Sequence, residues 1–233
     1  KKQWCLAEVS QDKVLSLGEE LNISATVAVL LINRGIMTTE EARLYLKSDL
    51  SQLHDPFLMA GMDEAVKRVI RAIENEESIT LFCDYDVDGV TSAAFLTHFF
   101  RDLDCSVTAY LPERQAEGYG LNSDAVRKIR EQGTSLMITA DCGITGVKEV
   151  ALANEIGLDV IVTDHHQVGE EGLPQAVAVL NPHREECDYP FRFLSGVGLA
   201  FKLALGVRSG LHTAGRKKEG LPNMKRHLDL FAL

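Results

Sequence analysis

From residue 78 onward, short apolar runs alternate with stretches of helical periodicity. The runs are 78–83 (SITLFC), 106–111 (SVTAYL), 136–140 (LMITA), 160–163 (VIVT) and 176–180 (AVAVL). Runs of four to six residues, apolar on both faces and rich in β-branched side chains, predict buried strands. Between them, 91–100, 123–132 and 147–156 carry helical spacing, and Gly133 and Gly157 stand where a helix ends in left-handed backbone. Strands alternating with helices predict an α/β fold with a doubly wound, mainly parallel sheet.

Upstream, residues 1–60 read as a helical N-terminal extension. Thr38 and Glu41 have the spacing of a capping box, opening a helix through Ala42, Leu44 and Tyr45. Ala65, Val66, Val69, Ile70 and Ile73 mark one face of an amphipathic helix. The expected organisation is thus a helical region over 1–60, an α/β domain over 61–205 and a helical segment over 206–233.

Composition narrows this little. Of the 233 residues 45% are hydrophobic, enough for a substantial core. Trp4 is the only tryptophan. The longest apolar stretch, 25–32, is too short to span a bilayer, so no membrane partner is expected, and no export signal opens the chain. The five cysteines, Cys5, Cys83, Cys105, Cys142 and Cys187, are scattered and never form a C-x-x-C pair. They read as reduced thiols of a cytoplasmic protein, with no structural zinc. A formal charge of −10 argues against nucleic-acid binding by itself. That argument weakens if the acids hold cations. Arg208, Arg216, Lys217, Lys218, Lys225 and Arg226 bunch late, as a solvated face or a phosphate-tracking patch.

The chemistry collects at the strand ends. The apolar runs lead directly into Asp84, Asp141, Asp164 and Asn181. In a parallel sheet the carboxyl ends of the strands line the ligand crevice, so these residues should converge. A lone Asp there commonly caps the next helix; here each brings further acids, glycines or histidines. Asp84, Asp86 and Asp88 alternate and would repel one another unless divalent cations with oxygen ligands intervene. Gly89 is expected to let the backbone turn toward a helix starting near Thr91. An EF-hand loop is excluded because Phe95 stands where its final Glu is needed. Asp141-Cys142-Gly143 repeats the order of acid and glycine. Asp164-His165-His166 adds imidazoles, with Asp164 a candidate to orient a ligating histidine. Two metals sharing a carboxylate would suit hydrolysis of a phosphate ester or anhydride.

At these residues the chain resembles the DHH phosphoesterase family, named for the triplet seen as Asp164-His165-His166. Within it, the RecJ branch of single-strand-specific DNA exonucleases is similar in D-Y-D-V-D-G (Asp84 to Gly89) and D-C-G (Asp141 to Gly143). It is similar also in Leu111-Pro112-Glu113-Arg114, Glu117-Gly118-Tyr119-Gly120-Leu121, Leu180-Asn181-Pro182 and Ser195-Gly196-Val197-Gly198. The resemblance implies removal of nucleotides from the 5′ end of single-stranded DNA in repair and recombination, with two Mn²⁺ or Mg²⁺ ions. It implies Asp84, Asp86, Asp88, Asp141 and His165 as metal ligands, Asp141 bridging. Asp141, Asp164 and His166 would be catalytic, His166 contacting the scissile phosphate. Arg114, with the terminal phosphate as its partner, Tyr119, Asn181 and His183 would bind nucleic acid.

Cys83 departs from a frequent glycine of the family. Chains of this branch also continue past the equivalent of Leu233 into a further metal-binding Asp, a second core domain and an oligonucleotide-binding fold. A fragment, weak or inactive without those C-terminal partner domains, is therefore expected. Other branches, the pyrophosphatases, oligoribonucleases and cyclic-dinucleotide phosphodiesterases, carry a His where Phe82 stands. A haloacid-dehalogenase-like phosphatase would place its nucleophile directly after the strand and has no place for Asp-His-His. A non-catalytic binding module on the same fold would be expected to have lost ligands.

Overall fold

The computed structural model describes residues 7–47, 49–115 and 117–232, so Trp4 and Cys5 lie outside the described residues. The chain divides into two compact units between Leu53 and His54. In the first, α1 (Gln11–Leu21), α2 (Ala25–Ile32) and α3 (Thr39–Leu46) enclose Val14, Leu17, Ala28, Leu31, Ile32 and Ala42. The capping box is formed: Glu41 N donates to Thr38 Oγ1 at 3.2 Å, and Thr38 N to Glu41 Oε2 at 3.0 Å. The division precedes the expected boundary at residue 60. The intervening segment belongs to the second unit, where the His54 carbonyl accepts from Lys202 Nζ at 2.7 Å and Met59 is buried.

The second unit runs α4 (Met62–Glu74), β1 (Ile79–Cys83), α5 (Val87–Arg101), β2 (Val107–Tyr110), α6 (Ser123–Glu131), β3 (Leu136–Ala140), α7 (Val147–Glu155), β4 (Asp159–Thr163), β5 (Ala178–Leu180) and α8 (Gly196–Thr213). Every strand pairing is parallel, in the order β2-β1-β3-β4-β5. One face packs Phe82, Met137, Val160 and Val162 against Val126 and Ile129 of α6 and Val150 and Ala153 of α7. The alternate strand residues Leu81, Ile138 and Ile161 are as fully buried on the face covered by α4, α5 and α8. The fold is therefore α/β with helices on both faces, because period-2 strands apolar on both sides must be covered twice. Strand β2 lies at the sheet edge and is half exposed.

Two expectations are corrected. The boundary at 205 falls inside α8, which continues to Thr213 because Gly206, Val207 and Leu211 remain buried. Beyond it the expected helical segment is not one helix. Gly215, at φ +97°, turns the chain out of helical conformation, and only short 3₁₀ turns follow at Lys218–Gly220 and Leu228–Phe231. No single helix among the described residues is long and apolar enough to cross a membrane. Cys83, Cys105, Cys142 and Cys187 are free thiols.

Candidate metal centre

Strand register builds the site. Cys83 pairs with Ala140, Ile138 with Ile161 and Thr163 with Leu180. The next residues, Asp84, Asp141, Asp164 and Asn181, therefore form one row across four adjacent strands. The ladder continues through them: Asp84 N donates to Ala140 O, Asp141 N to Thr163 O and Asp164 N to Leu180 O, at 3.3, 3.1 and 3.1 Å. After β1 the chain moves outward to β2, then returns to β3 on the other side of β1. Asp84 and Asp141 thus flank the point where the winding reverses, the crevice position of an open α/β sheet.

Both acids are buried, at 4% and 1% exposure, and neighbouring strands lie only ~4.8 Å apart. Burial raises the Asp84 carboxyl above its usual range. It raises Asp141 further, to about 6, opposed by His165 and reinforced by the charges of Asp88 and Asp86. Oδ1 of Asp84 and Oδ1 of Asp141 have no hydrogen-bond partner. Oδ1 of Asp141 lies 3.0 Å from Nε2 of His165, at ion-pair distance but without hydrogen-bond geometry. Two buried, unsatisfied carboxylate oxygens side by side fit a site for cations. Asp141 also adopts φ +63°, a left-handed backbone that is costly for a residue with a Cβ, as is frequent at functional positions.

Ligand atoms converge in two sets, Asp84 with Asp86 and Asp141, and Asp141 with His165 and His166, in each case within 4.8 Å of one another. Asp141 belongs to both. Asp88 stands apart: its oxygens accept from Gly196 N at 2.6 Å and Val197 N at 2.7 Å, joining α5 to the first turn of α8, and Oδ2 lies 3.8 Å from His165 Nε2. The serine-glycine-valine-glycine segment thus has a role that the sequence left unassigned. Its signal was weak because 108 residues separate the bonded groups.

Glycine roles also change. The helix starts at Val87, not near Thr91, with Asp86 as its cap accepting from Gly89 N at 3.0 Å. Gly89 therefore lies in the first helical turn, and its lack of a Cβ permits close approach rather than a turn. A Cβ there would stand 2.2 Å from the Asp84 carbonyl oxygen. One on Gly196 would stand 2.6 Å from Cβ of Asp141.

The triplet divides its work. Asp164, 1% exposed, accepts from Ile144 N on Oδ2 at 2.9 Å and from His166 N on Oδ1 at 3.0 Å. The same Oδ1 lies 2.7 Å from His166 Nδ1, so the histidine oriented by Asp164 is His166, whereas His165 faces Asp141. The Tyr119 hydroxyl lies 3.2 Å from His166 Nδ1. Arg114, exposed, stacks over Tyr85 with 5.4 Å from its guanidinium carbon to the ring centroid. Asn181, expected to touch nucleic acid, is instead fully buried. Its Nδ2 donates to His166 O at 2.8 Å and its Oδ1 accepts from His183 N at 2.7 Å, so both ends are spent on positioning the triplet's loop. His183 lines a neighbouring cavity with Gln167, Val168 and Arg184. Phe82 is buried and stacks on Tyr110 at 5.4 Å, within the core.

Residues 78–233 match the DHH family, N-terminal domain. The single-stranded-DNA-specific exonuclease RecJ of Bacillus subtilis (strain 168) is 48% identical over 204 residues, 88% of this chain and 26% of that protein. Its namesake from Escherichia coli (strain K12) is 36% identical over 208 residues, 88% of this chain and 35% of that protein. The chain therefore spans about a quarter to a third of the length of these relatives. Among solved structures, exonuclease RecJ bound to manganese superposes with a TM-score of 0.65 at 32% identity, over 75% of this chain and 42% of that one. RecJ in complex with Mn²⁺ from Thermus thermophilus gives 0.74 at 26% identity, over 97% and 30%. The chain belongs to the DHH family.

Proposed function

We propose that this chain is the catalytic α/β part of a two-metal phosphodiesterase that removes nucleotides from the 5′ end of single-stranded DNA, using Mn²⁺ or Mg²⁺. The reading extends to a cytoplasmic enzyme of DNA repair and recombination whose further domains complete the groove for the strand. One observation carries it: two ligand clusters share Asp141 at the reversal point of the sheet, where two buried carboxylate oxygens lack partners.

Asp84, Asp86 and Asp141 would hold one cation, and Asp141 with His165 would hold the other, with His166 beside them on the side of the phosphate. Bound divalent ions supply an acidified water and offset the charge that gathers on a phosphate in displacement. The remaining steps belong to the protein. Asp164 holds His166 by its backbone N–H and Nδ1, which leaves Nε2 toward the phosphate, where the ring as an imidazolium would donate to an oxygen that gathers charge. The Asp88 bonds to α8 keep α5, and with it the Asp84–Asp88 loop, against Asp141. Arg114, with its guanidinium over the Tyr85 ring, offers a fork suited to a terminal phosphate. Tyr119 reaches His166 from the loop after β2.

The test is release of mononucleotides from 5′-labelled and 3′-labelled single strands by the protein expressed from its full gene, with Mn²⁺ and with chelator. Metal-dependent mononucleotide release that starts at the 5′ end and spares duplex DNA is expected. Release that survives chelation, or starts at the 3′ end, would overturn the proposal.

A further inference from the structure

Phe193 is 85% exposed, the most exposed large hydrophobic side chain among the described residues, and Phe191 is 46% exposed. Their rings meet edge to face, with centroids 5.9 Å apart and planes at 72°. Between them stands Arg192, exposed and without an ion pair among the described residues. Scattered exposed hydrophobics are ordinary. Two touching, exposed rings with an exposed arginine between them in sequence are a different surface, because aromatic faces and guanidinium planes are what unpaired bases stack on.

The segment is anchored at both ends. Before it, Tyr189 is buried, packs edge-on against His54 with centroids 6.0 Å apart and lies beneath Lys202 Nζ at 5.5 Å. After it, Ser195 caps α8 by accepting from Gly198 N at 3.2 Å. The next residue, Gly196, donates to Asp88 and leaves no room for a Cβ against Asp141. Phe193 is three residues from Gly196, so its Cα lies within about 11 Å of that contact. A strand stacked at roughly 3.4 Å per base covers that distance in about three nucleotides.

We infer that Phe191, Arg192 and Phe193 form a stacking platform for the bases of single-stranded DNA beside the cleavage point. The inference rests on the nuclease reading above. Edge-to-face packing leaves the open face of Phe193 for one base, while Arg192 adds a cation for the adjoining phosphate. The platform reads no sequence, because every base has a π-face.

The experiment uses the protein expressed from its full gene and compares Phe193→Leu, Phe191→Leu and Phe193→Trp. Leucine keeps apolar bulk but cannot stack. Each leucine change should raise KM for a single-stranded oligonucleotide about tenfold and alter kcat much less, and Phe193→Trp should restore wild-type KM. Abasic sites in the three nucleotides nearest the cleaved end should raise KM for the wild type and erase its advantage over Phe193→Leu. Unchanged KM in both leucine variants of an active enzyme would overturn the platform alone. So would a leucine penalty that persists on abasic strands, with a lowered thermal midpoint, since the rings would then be packing against protein. A wild type that neither binds nor cleaves single strands would overturn the nuclease reading and the platform together.

Discussion

Asp164 grips His166 twice, through the backbone N–H at 3.0 Å and through Nδ1 at 2.7 Å, both on one carboxylate oxygen. The other oxygen takes Ile144 N, so this buried side chain ties the triplet to the loop after Asp141. Asparagine has nearly the same shape but must turn an N–H₂ toward one of these amides. Asp164→Asn should therefore cost about 2–3 kcal/mol of stability, a buried donor being left facing a donor. Turnover should fall roughly 100-fold as His166 loses its orientation, while Mn²⁺ affinity changes less. Denaturant unfolding and mononucleotide release read the two effects. Unchanged turnover would show that His166 needs no such support.

Two glycines carry the closest approaches of the centre. Gly89→Ala would drive a methyl into backbone at Asp84, and Gly196→Ala would drive one into Asp141. Neither obstacle is the tip of a flexible side chain, so each change should cost about 3 kcal/mol or more and weaken Mn²⁺ binding. Gly172→Ala meets open space and has only its φ of +81° against it, which predicts a cost of about 1–2 kcal/mol with metal binding intact. Isothermal titration beside chemical unfolding separates the cases. Equal loss of metal affinity in all three would mean that the effect is global.

The strands and the row of residues beyond them were legible because buried parallel strands are written as unbroken apolar runs, and a polar residue ending each run marks the crevice. Asp84, Asp141 and Asp164 could be read from that alone. The part played by Asp88 could not. Its partners are backbone amides of α8, which carry no side-chain signature at any sequence distance. Asn181 shows the converse limit. Its position after β5 announced a place at the crevice, but only packing reveals that its amide is consumed by His166 O and His183 N. The placement of Gly89 failed for a third reason. A helix that begins on its own capping Asp86 hides its start among acids that also look like ligands.

At the opposite edge of the sheet Arg68, 5% exposed, reaches Asp159 Oδ2 at 2.5 Å, Glu77 Oε2 at 2.6 Å and the carbonyl of Ser135 at 3.4 Å. These partners lie at or just before the amino ends of β4, β1 and β3. Arg68→Met should destabilise the protein by roughly 1–3 kcal/mol, because Glu77 loses its cation and the Ser135 carbonyl its donor, whereas the more exposed Asp159 keeps Arg71 at 3.0 Å. The affinity of the folded protein for Mn²⁺ should not change, since the centre sits at the other end of the strands. A selective loss of metal binding with normal stability would contradict this separation of fold from site.

The sharing of Asp141 makes a stoichiometric prediction. Asp84→Ala removes a ligand from one cluster only, and His165→Ala from the other only. In a protein that binds two ions, each change should leave one tight Mn²⁺ site by calorimetry, and raising Mn²⁺ should recover part of the activity by mass action. Asp141→Ala removes a carboxylate common to both clusters. It should lower both affinities and abolish hydrolysis at every Mn²⁺ concentration, because no excess of ion restores a bridge. Alanine at 141 should also relieve buried negative charge. The orphaned Oδ1 disappears, and Asp84 loses a neighbour about one strand spacing away. The metal-free variant should therefore be no less stable than the metal-free wild type, although it is inactive. That pairing of retained or improved stability with lost activity is the mark of a ligand held for function. An Asp141→Ala protein that keeps one tight ion and partial turnover would assign Asp141 to a single site and remove the bridge from the mechanism.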